Sequence, residues 1–194
     1  LAHSFERVMP GADYFDSIVN FWRVYAGHTP EAAKVCRNFL EKVVNTQDFP
    51  MTELASTTAS EITKVMENSY RAVNIAFIEE WARFAETVKV DLFEVIGAIR
   101  KRPTHSNIMQ PGFGVGGYCL TKDPILFSCT SDGPRPEAVL GISSRKINET
   151  AAMYPVEVVK RYAKSLQVPM SSLSVLIVGV AFKGAPETTD IRGS

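Results

Sequence analysis

The sequence predicts a mostly α-helical fold with one dominant central helix, and three observations predict it. Apolar residues recur near the helical period from about Glu53 to about Val88: Ile62, Val65, Met66, Val73, Phe77, Trp81, Phe84 and Val88. Two shorter segments open on helix-start signals. The run with the plainest buried-strand character, "SVLIVGVAFKG", Ser174 to Val180, comes only near the end, turning at glycine as an α/β domain does when it begins.

In chain order, residues 19–26, "VNFWRVYA", read as a short strand closed by Gly27. "GHTPEAAKVC" then opens a helix, with Thr29 as N-cap, Pro30 in the first turn and Glu31 complementing the dipole. Its apolar stripe is Cys36, Phe39, Leu40 and Val43, which makes Cys36 a core residue. The long helix carries Lys64, Glu67, Arg71, Glu79, Glu80 and Arg83, and so many charges exclude a membrane span. A helix of that length bridges domains or packs on a partner copy, so a dimer is expected. Asp91, with Glu94 three residues on, starts another helix that Pro103 ends. Asp123 to Cys129 reads as helical with Cys129 structural, "SDGPRP" as a turn, and Glu137 to Leu166 as helix interrupted at Pro155.

Composition excludes several functions. Lys+Arg 21 balance Asp+Glu 21, so no net field attracts a polyanion or an acidic membrane surface. The basic clusters, Arg100 to Arg102 and Lys160 with Arg161, read as solvated faces. Three cysteines, at 36, 119 and 129, form no metal-binding or disulfide spacing, which fits a reducing cytoplasm. Starting at Leu1 and stopping at Ser194 shortly after a strand, the chain reads as a piece of something longer.

Chemistry concentrates in "MQPGFGVGGYCLTKDP", residues 109–124. Gly112, Gly114, Gly116 and Gly117 crowd one loop, where glycine permits positive φ or close approach to a ligand. Cys119 follows as either a small gap-filling hydrophobe or a nucleophile, with Lys122 near enough in sequence to favour a thiolate. Asp123 could serve as a base or order a water. Lys64 and Asn68 project from one side of the long helix, either as an exposed pair or as groups that polarise a substrate oxygen. Glu6 and Arg7 precede a Pro10-Gly11 turn, and spacing says no more of them.

"FERVMPG", "TASEITKVMENSYRAVNIAFIEEWA", "GFGVGGYCLTKDP" and "VLIVGVAFKG" together resemble the nucleotide-sugar dehydrogenases, the UDP-glucose/GDP-mannose dehydrogenase family, in its order and spacing over nearly the whole chain. The resemblance implies a helical dimerisation domain flanked by remnants of two Rossmann-like α/β domains. Residues 1–28 would be the tail of an NAD-binding domain, 29–134 the central helical domain, 135–170 a connecting helix, and 171–194 the start of a UDP-binding domain. It also implies oxidation of the C6 alcohol of a UDP-sugar to a carboxylate in two hydride transfers to NAD+, through a cysteine thiohemiacetal and thioester.

Carried across, Cys119 would be the nucleophile and Lys64 the oxyanion stabiliser. Asn68 and Asp123 would position water, and Glu6 would act as acid or base in hydrolysis. Gln110, Gly112, Phe113, Gly114 and Gly116 would wrap the diphosphate, Phe182 and Lys183 would approach uridine, and Lys122 and Arg192 would border NAD. Pro10 stands where UDP-glucose enzymes carry a second glutamate. With "TKVMENSYRAVNIAF" and "QPGFGVGGY", this points to the branch acting on UDP-N-acetylhexosamines, mannosamine or galactosamine.

The glycine fingerprint of a dinucleotide site is absent, so this chain alone is expected to be inactive. The alternatives are a UDP-glucose enzyme, a β-hydroxyacid dehydrogenase that needs no cysteine, and a non-catalytic helical dimerisation module. No nucleic-acid or membrane partner is implied.

Overall fold

The computed structural model describes residues 1–9, 11–129 and 137–179. They form two compact units, and the division falls inside the long helix, between Glu67 and Asn68.

The first unit is built on a three-stranded sheet, ordered β1 (Ala2–Phe5), β2 (Val24–Gly27), β3 (Thr52–Glu53). β1 pairs antiparallel with β2, Ala2 opposite Gly27 and Phe5 opposite Val24; β3 joins β2 in parallel, Val24 opposite Thr52. The strand expected over 19–26 is therefore only its last part plus Gly27. Residues Tyr14–Val19 instead form α1, with the Ser17 hydroxyl donating to the Tyr14 carbonyl and accepting from the Met9 amide.

β2 is the central strand, which is why Val24, Tyr25 and Ala26 are all buried. The parallel pairing needs a crossover, and α2 (Pro30–Leu40) supplies it. Thr29 caps α2 as expected, its hydroxyl accepting the Ala32 amide at 3.2 Å. The predicted stripe on α2 does not form the core. Ala33 is the buried position, whereas Phe39 and Val43 are exposed. Gly27 explains the choice: a Cβ there would run into the backbone of Ala33, so α2 approaches β2 through its smallest residue. Cys36 is only half-buried, and that burial pushes its thiol pKa up.

The long helix, α3 (Thr57–Thr87), is about 46 Å long at 1.5 Å per residue. It begins four residues later than expected because Glu53 is held in β3, where its carboxylate accepts from Tyr25 Oη at 2.5 Å and Arg37 at 3.0 Å. Ser56 provides the start, its hydroxyl accepting the Ala59 amide at 3.1 Å. The stop is a Schellman turn with Lys89 at φ 57: Val90 N–H bonds to Ala85 O and Lys89 N–H to Glu86 O.

The apolar stripe read from the helical period faces outward along much of α3. Ala72, Ala76, Ile78 and Ala85 are buried, while Ile62, Met66, Phe77, Trp81, Phe84 and Val88 are exposed. Small residues let neighbouring backbone come close, so the large side chains are left on the other face.

In the second unit, Ile78, Ala85, Leu92 and Ile96 form an apolar cluster with Ala82, Ile108 and Met109 against it. α4 (Leu92–Ile99) starts at Asp91, whose carboxylate accepts the Phe93 amide at 2.8 Å. α5 (Asp123–Leu126) continues as one 3-10 turn through Cys129, which is exposed rather than buried in a packing face. The expected helix over 137–166 is α6 (Val139–Ala151) and α7 (Tyr154–Ser165), broken where Pro155 demands it. α6 packs on α5 at Gly141, where any Cβ would meet the Pro124 carbonyl. α7 reaches α3 through Arg161 and Glu86, 3.5 Å apart, and Tyr154 receives Arg83 and Arg161 on its ring.

The strand expected over Ser174 to Val180 is not formed in the described part, 174–179; Val175 to Val178 are exposed. A strand is defined by its hydrogen-bonded neighbour, and among the described residues none lies beside this run. The "SDGPRP" turn lies outside the described residues. Among those described, no helix is long and apolar enough to cross a membrane.

Candidate functional site

Two groups of candidate residues come together, one in each unit. In the first, Lys64 Nζ donates to the main-chain oxygen of Glu6 at 2.9 Å and sits 5.5 Å from the Phe5 ring centre. The Glu6 side chain is exposed and accepts the Val8 amide at 2.6 Å. A clamp unforeseen in the sequence holds this segment to α3. Arg7 Nε donates to both carboxylate oxygens of Glu67 at 3.1 Å, and its guanidinium lies over Phe5 at 5.0 Å. Buried Arg23 braces the same turn through the carbonyls of Phe5 at 3.0 Å and Ile18 at 2.7 Å.

The second unit gathers Asn68, Cys119, Lys122 and Asp123. Asp123 is 4% exposed, and its Oδ2 accepts from Asn68 Nδ2 at 2.6 Å. Its Oδ1 pairs with Lys122 Nζ. The Cys119 carbonyl accepts the amides of Lys122 at 3.2 Å and Asp123 at 2.9 Å, closing one turn at the start of α5. The backbone of Cys119 is thereby fixed while its thiol stays exposed. Burying a carboxylate is costly unless its oxygens find partners, and the Asn68 amide and the Lys122 ammonium are those partners. Chemically, this places a nucleophile candidate one helical turn from an oriented carboxylate.

The glycine loop rests on Glu79, which the sequence marks only as one of the charges that exclude a membrane span. Glu79, on α3, is 5% exposed, and its Oε1 accepts the Gly112 amide at 2.7 Å. Ala72, Ala76 and Glu79 follow at helical spacing on the buried face. A carboxylate interrupting a stripe of small residues was the available signal. Gly114 (φ +88) and Gly117 (φ 87) require glycine conformationally. A Cβ on Gly114 would also meet the carbonyl of Asn148 on α6. Gly114 therefore serves internal packing as well as any ligand, whereas Gly112 has room: its Cβ would meet only Glu79 Oε1, at 3.7 Å. Gln110 and Phe113 are exposed, and Gly116 is half-buried.

Burial raises the Glu79 pKa, against the opposing pull of the Gly112 and Gly114 amides and of Arg83. The folded chain thus holds this proton to higher pH than the unfolded chain. The stabilisation from the neutral acid is complete below the ordinary value of 4.5 and is lost as pH rises through the raised value. Glu79→Gln carries no charge, so it is expected to melt above the wild type at about pH 8, the gap closing on acidification. Paired melting curves across that range check this.

Phe182, Lys183 and Arg192 lie outside the described residues. Lys122, expected to border NAD, is paired with Asp123. The β2-to-α2 turn runs Gly27-His28-Thr29-Pro30 without a glycine fingerprint. Among the described residues, no cluster of His, Cys, Asp and Glu has the grouping of a metal site.

Residues 58–150 match the UDP-glucose/GDP-mannose dehydrogenase family, central domain. The chain is 32% identical to the UDP-N-acetyl-D-mannosamine dehydrogenase of Pyrococcus horikoshii, over all of this chain and 44% of that protein. It is 30% identical to the NDP-N-acetyl-D-galactosaminuronic acid dehydrogenase of Ralstonia nicotianae, over all of this chain and 42% of that protein. Among solved structures, that of UDP-D-ManNAc dehydrogenase from Pyrococcus horikoshii superposes with a TM-score of 0.86 at 31% identity, covering 99% of this chain and 43% of that one. The chain spans less than half the length of these relatives. The central-domain match, the relatives aligned over the whole chain and the shared fold agree in what this chain is similar to: the UDP-glucose/GDP-mannose dehydrogenase family.

Proposed function

We propose that this chain is the central section of an NAD-dependent UDP-N-acetylhexosamine 6-dehydrogenase, the hexosamine being mannosamine or galactosamine. In this reading residues 1–28 end an NAD-binding Rossmann domain, 29–134 form the helical dimerisation and catalytic domain, 135–170 connect, and 171–194 begin a UDP-binding domain. The names of the relatives and the share of their length that the chain covers support it. The observation that carries it is the Asn68–Asp123 pair at 2.6 Å, with Asp123 also holding the carbonyl of Cys119.

The chemistry follows from these groups. The C6 alcohol loses a hydride and a proton to give an aldehyde. The Cys119 thiolate adds to the aldehyde carbon, and the oxyanion, stabilised by Lys64, takes a proton to give a thiohemiacetal. Loss of a second hydride and the hydroxyl proton leaves a thioester. Water, held by Asn68 and Asp123 with Glu6 as acid or base, adds to the thioester carbon; the C–S bond breaks and the thiolate is regenerated. One alcohol, one water and two NAD+ become one carboxylate, two NADH and three protons. NAD+ supplies only the hydride acceptor, and the residues that bind it lie chiefly outside this chain.

Gln110, Gly112, Phe113, Gly114 and Gly116 are assigned to the diphosphate, Phe182 and Lys183 to uridine, and Lys122 and Arg192 to the nicotinamide side. Covalent capture keeps a reactive aldehyde from escaping between the two oxidations. The exposed face of Ile62, Met66, Phe77, Trp81 and Phe84 on α3 supports a homodimer through the central domain.

The test is NADH released per sugar by the complete enzyme containing this chain. Two NADH per UDP-N-acetylmannosamine or UDP-N-acetylgalactosamine are expected. Turnover of UDP-glucose alone would keep the family and overturn the branch, and one NADH per sugar would overturn the covalent route.

A further inference from the structure

The Glu79 carboxylate is the one buried acid in the second unit, among the described residues, that the proposed chemistry leaves unused. Its Oε1 accepts the Gly112 amide, at 2.7 Å, at the head of the glycine loop. Two residues on, the loop is pressed against α6, where Gly114 lies beside the Asn148 carbonyl. Asn148 is itself tied back to α3, its Nδ2 donating to the Ala72 carbonyl at 3.3 Å. The segment 112–114 is thus held between two helices, by a carboxylate on one and a backbone wall on the other.

We propose that Glu79 is a positioning residue for the sugar-nucleotide site: its bond to the Gly112 amide fixes the path of the loop that meets the diphosphate. The nature of the ligand rests on the function proposed above; the anchoring does not. A diphosphate is anionic, so Glu79 cannot be one of its ligands, and any influence must pass through the loop backbone. A carboxylate is a strong acceptor for N–H, and losing it leaves the loop amide unpaired. An apolar side chain of equal size would fill this site at lower desolvation cost, so packing alone does not call for an acid here.

Glu79→Met and Glu79→Gln in the complete enzyme separate the roles. Methionine keeps the volume and removes the acceptor, while glutamine keeps both. Hydrogen exchange in the peptide covering residues 109–122 is measured beside kcat and KM for the UDP-N-acetylhexosamine. In Glu79→Met, exchange at the loop is expected to speed up tenfold or more and KM to rise about tenfold, with kcat within about threefold and the melting temperature held or raised. Glu79→Gln is expected to restore both readouts to within about twofold. Unchanged exchange in Glu79→Met would overturn the anchoring. Faster exchange with unchanged KM would overturn the positioning role. If the wild-type enzyme oxidises no sugar nucleotide, the functional reading falls, while the exchange arm still decides the anchor.

Discussion

Cys119→Ala is expected to abolish two-step oxidation, lowering NADH release from the complete enzyme by roughly 10³-fold or more. The loss would report chemistry rather than folding. The Cys119 side chain is exposed, and what the fold uses is its carbonyl, which accepts the amides of Lys122 and Asp123. Alanine keeps that carbonyl, and a surface substitution of this kind changes stability by about 0.5 kcal/mol or less. The melting temperature should therefore stay put while turnover collapses. Without a thiolate the aldehyde has no covalent hold, so any residual product should be aldehyde, with one NADH per sugar. Full turnover in the alanine variant would instead favour the cysteine-free chemistry of β-hydroxyacid dehydrogenases. Ordinary thiol reactivity at Cys119, together with no turnover in the wild type, would favour a dimerisation module.

Gly114→Ala is the substitution in this loop expected to cost the most stability. Its φ of +88 is strained for any residue with a Cβ, by about 1–2 kcal/mol. The added methyl would also collide with the Asn148 carbonyl and crowd Ala151 Cβ at 3.2 Å, an overpacking cost of about 1–3 kcal/mol. α6 cannot retreat freely, because Gly141 already seats it against the Pro124 carbonyl. A loss of about 3 kcal/mol corresponds to a melting temperature lower by roughly 10 °C in a domain of this size. Gly112→Ala is the internal control. No positive φ is required there, and the new Cβ would make only an ordinary 3.7 Å contact with Glu79, so its melting curve should match the wild type. A rise in KM for the nucleotide sugar in Gly112→Ala would then report backbone approach to the diphosphate, free of any folding effect. Equal melting curves for the two variants would show that α6 does not fix the loop.

Local rules were legible wherever one residue acts on its own neighbours. Thr29 before Pro30 gave the start of α2, Asp91 the start of α4, and Pro155 the break between α6 and α7. Each is a backbone requirement met within a turn. The end of α3 was close to hand as well, although its Schellman turn uses Lys89 where glycine is usual. β3 was hidden, because Thr52–Glu53 becomes a strand only through pairing with β2, and a two-residue strand has no period to read. The run from Ser174 to Val178 shows the converse: strand-like composition without a paired neighbour among the described residues.

By itself the sequence determined the family resemblance, the succession of the longer helices, and which cysteine stands at the glycine loop. It determined these because capping, proline and motif spacing act over a few residues at a time. Only the tertiary structure decided which face of α3 lies inside. The large apolar residues carry the helical period, yet Ala72, Ala76 and Ala85 lie inside and the aromatic side chains outward, because burial follows where other elements pack against the helix. It also decided that Asn68 bonds Asp123 across 55 positions of sequence, and that Glu79 holds a loop 33 residues away. Those bonds depend on where the chain returns, and that is set by packing between elements rather than by any spacing within one.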